Sequence, residues 1–127
     1  MSKQSGAHGA LGEELAARFL QSKGYAVIER NFHARFGEID LIAKDADTLL
    51  FVEVKARGIA SLGVPCEAVN HAKQQKLIKT ALHYISLHGL PLQPRFDVIE
   101  VYIHPTGTHK IRQIKNAFEA GDFISGE

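Results

Sequence analysis

Three side chains lying close together in the chain, Asp40, Glu53 and Lys55, are of the types that carry phosphoryl-transfer chemistry. They fall in two apolar runs, Gly37-Glu38-Ile39-Asp40-Leu41-Ile42-Ala43 and Leu49-Leu50-Phe51-Val52-Glu53-Val54-Lys55. Both runs are rich in β-branched or aromatic residues and are bounded by Gly, Asp and Thr, which predicts two antiparallel strands of a hairpin. Side chains alternate along a strand, so Glu38 and Asp40 share one face, and so do Glu53 and Lys55. If the loop is Asp45-Ala46-Asp47-Thr48, then Lys44 opposes Leu49, Ile42 opposes Phe51, Asp40 opposes Glu53 and Glu38 opposes Lys55. Directly opposed residues have Cβ atoms about 5 Å apart. Two carboxylates so placed repel unless something neutralises them. A hard divalent cation such as Mg²⁺ prefers carboxylate oxygens, and the Lys55 ammonium reaches the same place. In outline this is a metal-dependent site for cleaving phosphodiesters. The plainer alternative is a Glu38–Lys55 cross-strand ion pair beside a solvated Asp40 and Glu53. Ile42 and Phe51 share that face, which speaks against full solvation, and a slip of one residue would part the two carboxylates.

The surrounding elements must position these groups. A helix is expected over Gly9 to Lys23, with Leu11, Leu15, Ala16, Phe19 and Leu20 on one face and Gly24 just past its end. At helical spacing Glu13 falls at the edge of the apolar face and can approach the sheet, whereas Glu14 falls toward solvent. A carboxylate at Glu13 also simply suits the start of a helix. Tyr25 to Asn31 reads as a first strand, and Phe32 to Phe36 leads into the hairpin. Gly58 to Gly63 is a loop of small residues. A second helix begins at Cys66 or Val69 and ends at His88, before Gly89 and Pro91, with Val69, Leu77, Ile78, Ala81, Leu82 and Ile85 buried. Lys73, Lys76, Lys79 and His83 form a basic stripe along it. Such a stripe is either a solvated face or a surface that tracks backbone phosphates. Arg95 to Ile103 alternates as a strand, Pro105 to Thr108 turns the chain, and Lys110 to Ile114 is a shorter last strand. Asn116-Ala117-Phe118 is expected to dock the tail on the core. The order is αβββαββ, an α/β fold with a mixed central sheet, helices on both faces and a right-handed crossover between the third and fourth strands.

Asp40, followed after a short hairpin by Glu53-x-Lys55, resembles the PD-(D/E)XK nuclease signature, with Ile39 in place of the Pro. The longer strings Gly37 to Ile42, Phe51-Val52-Glu53-Val54-Lys55-x-Arg57 and Arg95-Phe96-Asp97-Val98 resemble the YraN-like family of small bacterial proteins, related to archaeal Holliday junction resolvases. The resemblance runs from Gly9 to Phe118 and implies the restriction-endonuclease-like core. It implies a metal-dependent endonuclease acting on nucleic acid, DNA more than RNA, in structured or branched form. Asp40 and Glu53, with the Val54 carbonyl, would hold Mg²⁺ or Mn²⁺. Lys55 would orient water and offset charge, and Glu38 would hold Lys55. In the resolvase relatives a Glu of the first helix joins the metal site, and Gly9-x-x-x-Glu13 resembles that arrangement. Lys73 matches a Lys recurrent in the family. Lys73, Lys76, Lys79, Arg35 and Arg57 would contact phosphates. A homodimer would match the two symmetric cuts of a four-way junction. A binding module that retains the site without turnover, working with a protein partner, is the second reading, and an adaptor with a vestigial site the third.

The 127 residues fit one domain over residues 1–127, with tails at 1–8 and 121–127. A formal net charge of +1 neither demands nor excludes nucleic acid. One cysteine, Cys66, excludes an internal disulfide and a Cys-rich zinc site. It is expected as an inert thiol in a reducing cytoplasm. The first ten residues carry no apolar core like that of a signal peptide, and no run is long enough to span a bilayer. His71, His83 and His88 lack the helical spacing of metal ligands.

Overall fold

The structure, a computed structural model, describes residues 7–61 and 69–119. Its elements are α1 (Ala7–Ser22), β1 (Ala26–Ala34), β2 (Gly37–Lys44), β3 (Thr48–Gly58), a 3₁₀ turn (Ile59–Ser61), α2 (His71–His88), β4 (Gln93–Ile103) and β5 (His109–Phe118). The expected order αβββαββ is what forms. α1 begins inside the expected N-terminal tail. The rest of that tail, the tail at 121–127, and Cys66 with the loop beyond Ser61 lie outside the described residues.

One five-stranded sheet runs in the order β1-β2-β3-β4-β5. β3 and β4 are parallel, joined across α2, and the other neighbours are antiparallel. Alternation along the central strands sends Leu41, Ala43, Leu50, Val52, Val54, Ile99 and Val101 to one face, where Ala16, Ala17 and Leu20 of α1 cover them. Ile42, Leu49, Phe51, Phe96 and Val98 face the other way, under Leu77, Ile78, Ala81 and Tyr84 of α2. Sheets buried on both faces read as near-continuous apolar runs, which is why β2 and β3 looked apolar throughout. The mixed sheet between two helices matches a restriction-endonuclease-like core.

Two contacts set where the helices lie. A Cβ on Gly12 would come within 2.6 Å of the Ala56 Cβ, so α1 can cross β3 at that point only on a glycine. Asn70 caps α2, its side chain accepting from the Lys73 N–H at 2.9 Å. At the other end Gly89 takes φ 61° and its N–H returns to the Ile85 carbonyl. The helix therefore starts at His71, after the cap. Two residues assigned to buried stripes are exposed, Leu11 at 40% and Leu82 at 38%, while Ala17 and Tyr84 are buried in the stripes. Small and aromatic side chains fit where the helices approach the sheet closely.

β5 runs through Phe118, farther than the expected Ile114. Between the pairs Val98/Ile114 and Phe96/Phe118, β5 advances twice as many residues as β4, forming a bulge with Asn116 at φ 53°. Buried Asp97 holds it, accepting from the Asn116 N–H, Gln113 and the Nε and Nη2 of Arg95 at 2.9 Å each. Phe118 then stacks on Phe96. The Arg95-Phe96-Asp97 string is thus a clamp on the β4/β5 edge.

Candidate active site

The β2/β3 register is the expected one, from Lys44↔Leu49 through Ile42↔Phe51 to Leu41↔Val52. Its chemistry starts at the loop, where the Asp45 carboxylate accepts from the Asp47 and Thr48 N–H groups. These bonds hold the Asp45 carboxyl below the ordinary carboxylate range. One further step would set Asp40 opposite Glu53, as expected, but the paired residues end at Leu41 and Val52. β2 leaves β3, while β3 continues beside β4 to Gly58. The opening where the β2/β3 pairing stops is the candidate site.

Asp40 sits at the mouth of this opening, 2% exposed, and its Oδ2 accepts the Val54 N–H at 2.8 Å. The carboxylate takes the place a strand carbonyl would otherwise fill. On an extended strand the N–H and C=O of one residue point to the same side, so the Val54 carbonyl faces the same opening. Simple alternation fails here. Leu41 packs on the α1 side and Ile39 on the α2 side. Opposite Ile39, Phe32 also turns to α2, its ring 5.0 Å from Tyr84, after Asn31 adopts φ 51°. The face switch falls at Asp40 and turns its carboxylate into the gap.

Glu53 is 4% exposed, and its Oε2 lies 2.6 Å from the Lys73 ammonium. The contact is a charge pair rather than an aligned hydrogen bond. Lys55 and Arg57 follow on the same face of β3, half-buried. Lys55 lies beside Glu100 on parallel β4, and Arg57 beside Tyr102. Glu100 is fully buried, accepts from the Tyr102 hydroxyl at 2.9 Å and has Arg112 at 3.6 Å. Sequence reasoning passed over this carboxylate, and its only signal was an acid on an inward position of an apolar strand. Glu38, expected to hold Lys55, instead pairs with His33 across β1 and β2 at 2.6 Å. The β1/β2 register sets Glu38 opposite His33. Glu13 is half-buried on α1 next to Gly12, where the helix abuts Ala56. Glu14 binds Arg18 and Arg30, and these bonds, Arg30 first, hold its carboxyl below the ordinary range.

A cleft of about 630 Å³ leads from the surface to Glu53. One wall is the β1–β2 hairpin end, with His33, Arg35, Phe36, Gly37 and Glu38; the other is the first half of α2, with Asn70, Lys73 and Lys76. Gly37 brings the walls together, since a Cβ there would touch Thr80 and Lys76. Of the expected basic residues, Arg35, Lys73 and Lys76 line the cleft. Lys79 lies at its rim, 5.7 Å from the Phe36 ring.

The uncharacterised protein family UPF0102 matches residues 12–101. The chain is 47% identical to a UPF0102 protein of Caldanaerobacter subterraneus over 113 residues, 87% of this chain and 93% of that protein. It is 46% identical to one of Desulforapulum autotrophicum over 120 residues, 94% and 98% of the two chains. A relative from Alkaliphilus metalliredigens is 49% identical over 111 residues, covering 87% and 96%. The chain belongs to the UPF0102 family, the YraN-like group. The stretch that matches the UPF0102 family contains Glu13, Asp40, Glu53, Lys55 and the basic residues of α2, and it ends before β5.

Within this UPF0102 fold the donors that could hold a cation are oxygens: the Asp40 and Glu53 carboxylates and the Val54 carbonyl. Among the described residues no three His, Cys, Asp or Glu side chains form a metal-binding group. Such a set does not suit zinc, which takes nitrogen and sulfur ligands in a closed shell. It fits Mg²⁺, which is bound through one or two carboxylates and retains several waters. No helix among the described residues is long and apolar enough to cross a membrane.

Proposed function

We propose that this protein is a metal-dependent endonuclease acting on nucleic acid, with structured or branched DNA as its substrate. The observation that carries the reading is the end of the β2/β3 ladder just before Asp40 and Glu53, with the Asp40 carboxylate bonded to the Val54 N–H and Glu53 at the end of a cleft lined by Arg35, Lys73 and Lys76. Asp40 and Glu53, with the Val54 carbonyl, are the ligands for Mg²⁺ or Mn²⁺, and Glu13 is an outer ligand. The cation, when bound, polarises a phosphate and lowers the pKa of bound water. Lys55 supplies an ammonium on the same face of β3, where it orients water and offsets charge building on phosphate oxygens. Lys73, Lys76, Arg35, Lys79 and Arg57 position the phosphate backbone. The test is cleavage of a labelled four-way junction, with flap and linear duplex alongside, in Mg²⁺ and in Mn²⁺. Wild type and Lys55→Ala are purified in parallel. Cleavage by wild type alone is expected, and equal cleavage by both would assign the activity to a contaminant and sink the reading.

One observation favours a second reading, a binding module that does not turn over. Lys73 already neutralises Glu53. In that case the protein binds DNA without cutting it, and affinity falls with salt at a slope of about −0.9 per phosphate neutralised. Salt-insensitive binding would contradict it.

A further inference from the structure

Phe36 is an exposed aromatic residue at a hairpin tip. Ala34 pairs with Gly37, so Arg35 and Phe36 alone form the tip of the β1–β2 hairpin. Neither Arg35 nor Phe36 takes a positive φ, which falls instead on Gly37, so the turn leaves the choice of side chain at Phe36 open. Phe36 stands 41% exposed, in the wall of the cleft that ends at Glu53. Two cations attend it from different elements, the Arg35 guanidinium and the Lys79 ammonium, each 5.7 Å from the ring centre.

We propose that Phe36 is a stacking platform for an unpaired nucleobase, and that it sets the preference of the cleft for single-stranded or branch-point nucleic acid over continuous duplex. The proposal rests on the nucleic-acid reading above and adds the substrate feature read there. A base stacked on an aromatic ring is worth a factor of about 5 to 150 in affinity. A cation over an exposed ring is worth a factor of only about 2 to 5. A base therefore displaces either cation from the ring favourably, and the displaced side chain remains within reach of the phosphates that flank that base. Lys73 and Lys76 on the facing wall take the next stretch of backbone. In a continuous duplex every base already has both faces stacked on its neighbours, so the ring finds no partner. At a flap, a junction or a single strand it does.

The experiment measures binding of a labelled mixed-sequence DNA single strand and of its duplex by anisotropy, without divalent metal, for wild type, Phe36→Ala, Phe36→Trp and Lys76→Gln. Phe36→Ala should lower single-strand affinity by about 5-fold or more and leave duplex affinity within about 2-fold. Phe36→Trp should retain single-strand binding. Lys76→Gln should weaken both ligands and reduce the salt slope by about one. If Phe36→Ala binds the single strand as wild type does while Lys76→Gln weakens both, the platform is wrong and the nucleic-acid reading stands. If wild type binds neither DNA, the nucleic-acid reading itself fails. Phe36 lies at an exposed turn, and melting curves matching wild type would show that loss of binding is not loss of fold.

Discussion

Asp40 closes the β2/β3 ladder on the Val54 N–H, and under the proposed function the same carboxylate is a metal ligand. The two roles separate by substitution. Asp40→Asn keeps an oxygen that can accept from Val54, so its stability should stay near that of wild type. Asp40→Ala leaves a buried N–H unsatisfied and should cost about 1–3 kcal/mol. Denaturant midpoints measure the difference, and equal midpoints for the two variants would show that the Val54 bond contributes nothing. At this scale the sequence was informative wherever turn chemistry fixed the register. Asp45 and Thr48 set the loop, and the loop set the pairing from Lys44 with Leu49 to Leu41 with Val52. The partner of Glu38 was not legible, because strict alternation was assumed through Asp40. The positive φ of Asn31 and the accompanying face switch have no one-residue signature.

Among the elements, the β4/β5 pairing depends most on one side chain. Arg95-Phe96-Asp97 reads in sequence as part of a family string near a nuclease site, yet in the fold Asp97 is a clamp. It secures the bulge at Asn116 and, with Tyr25, keeps the Arg95 guanidinium charged well above its ordinary range. Asp97→Ala should destabilise the domain by about 3 kcal/mol, the low end for breaking a buried pair, since Arg95 keeps part of its side chain in water. Chemical denaturation tests this, and a loss below about 1 kcal/mol would place the pair with exposed ion pairs. The extra length of β5 was not legible for the same reason. Bulges interrupt period-two patterning, so the pattern seemed to stop at Ile114. The helices were legible in position, but Leu11 and Leu82 show that an apolar residue near a buried stripe need not enter it.

Across the whole molecule, the two apolar layers and the mixed sheet followed from hydrophobic pattern and element order, since a sheet covered by helices on both faces leaves few arrangements. The cleft did not, because it is made by hairpin end and helix together, from residues distant in sequence. Tyr84 sits in the layer under α2, its ring packed against Phe32 and Phe51. Burial raises its phenol above the ordinary value, with Glu29 adding to the effect. The folded state therefore holds this proton more tightly than the unfolded state. Its contribution is complete below the unfolded value of about 10 and is lost as pH rises from there through the folded value. Wild type should lose stability above about pH 10 more steeply than Tyr84→Phe, measured as denaturant midpoint against pH. Parallel curves would show that Tyr84 titrates as it does when unfolded.

The central claim is the proposal that Asp40 and Glu53, just beyond the end of the β2/β3 ladder, make a working metal site. Its most direct measurement is Mg²⁺-dependent cleavage of a labelled four-way junction by wild type, Asp40→Asn and Glu53→Gln, each verified as folded by its melting curve. Cleavage by wild type and loss in both variants is the expected result, with junction binding retained. Equal cleavage by all three proteins would contradict the claim.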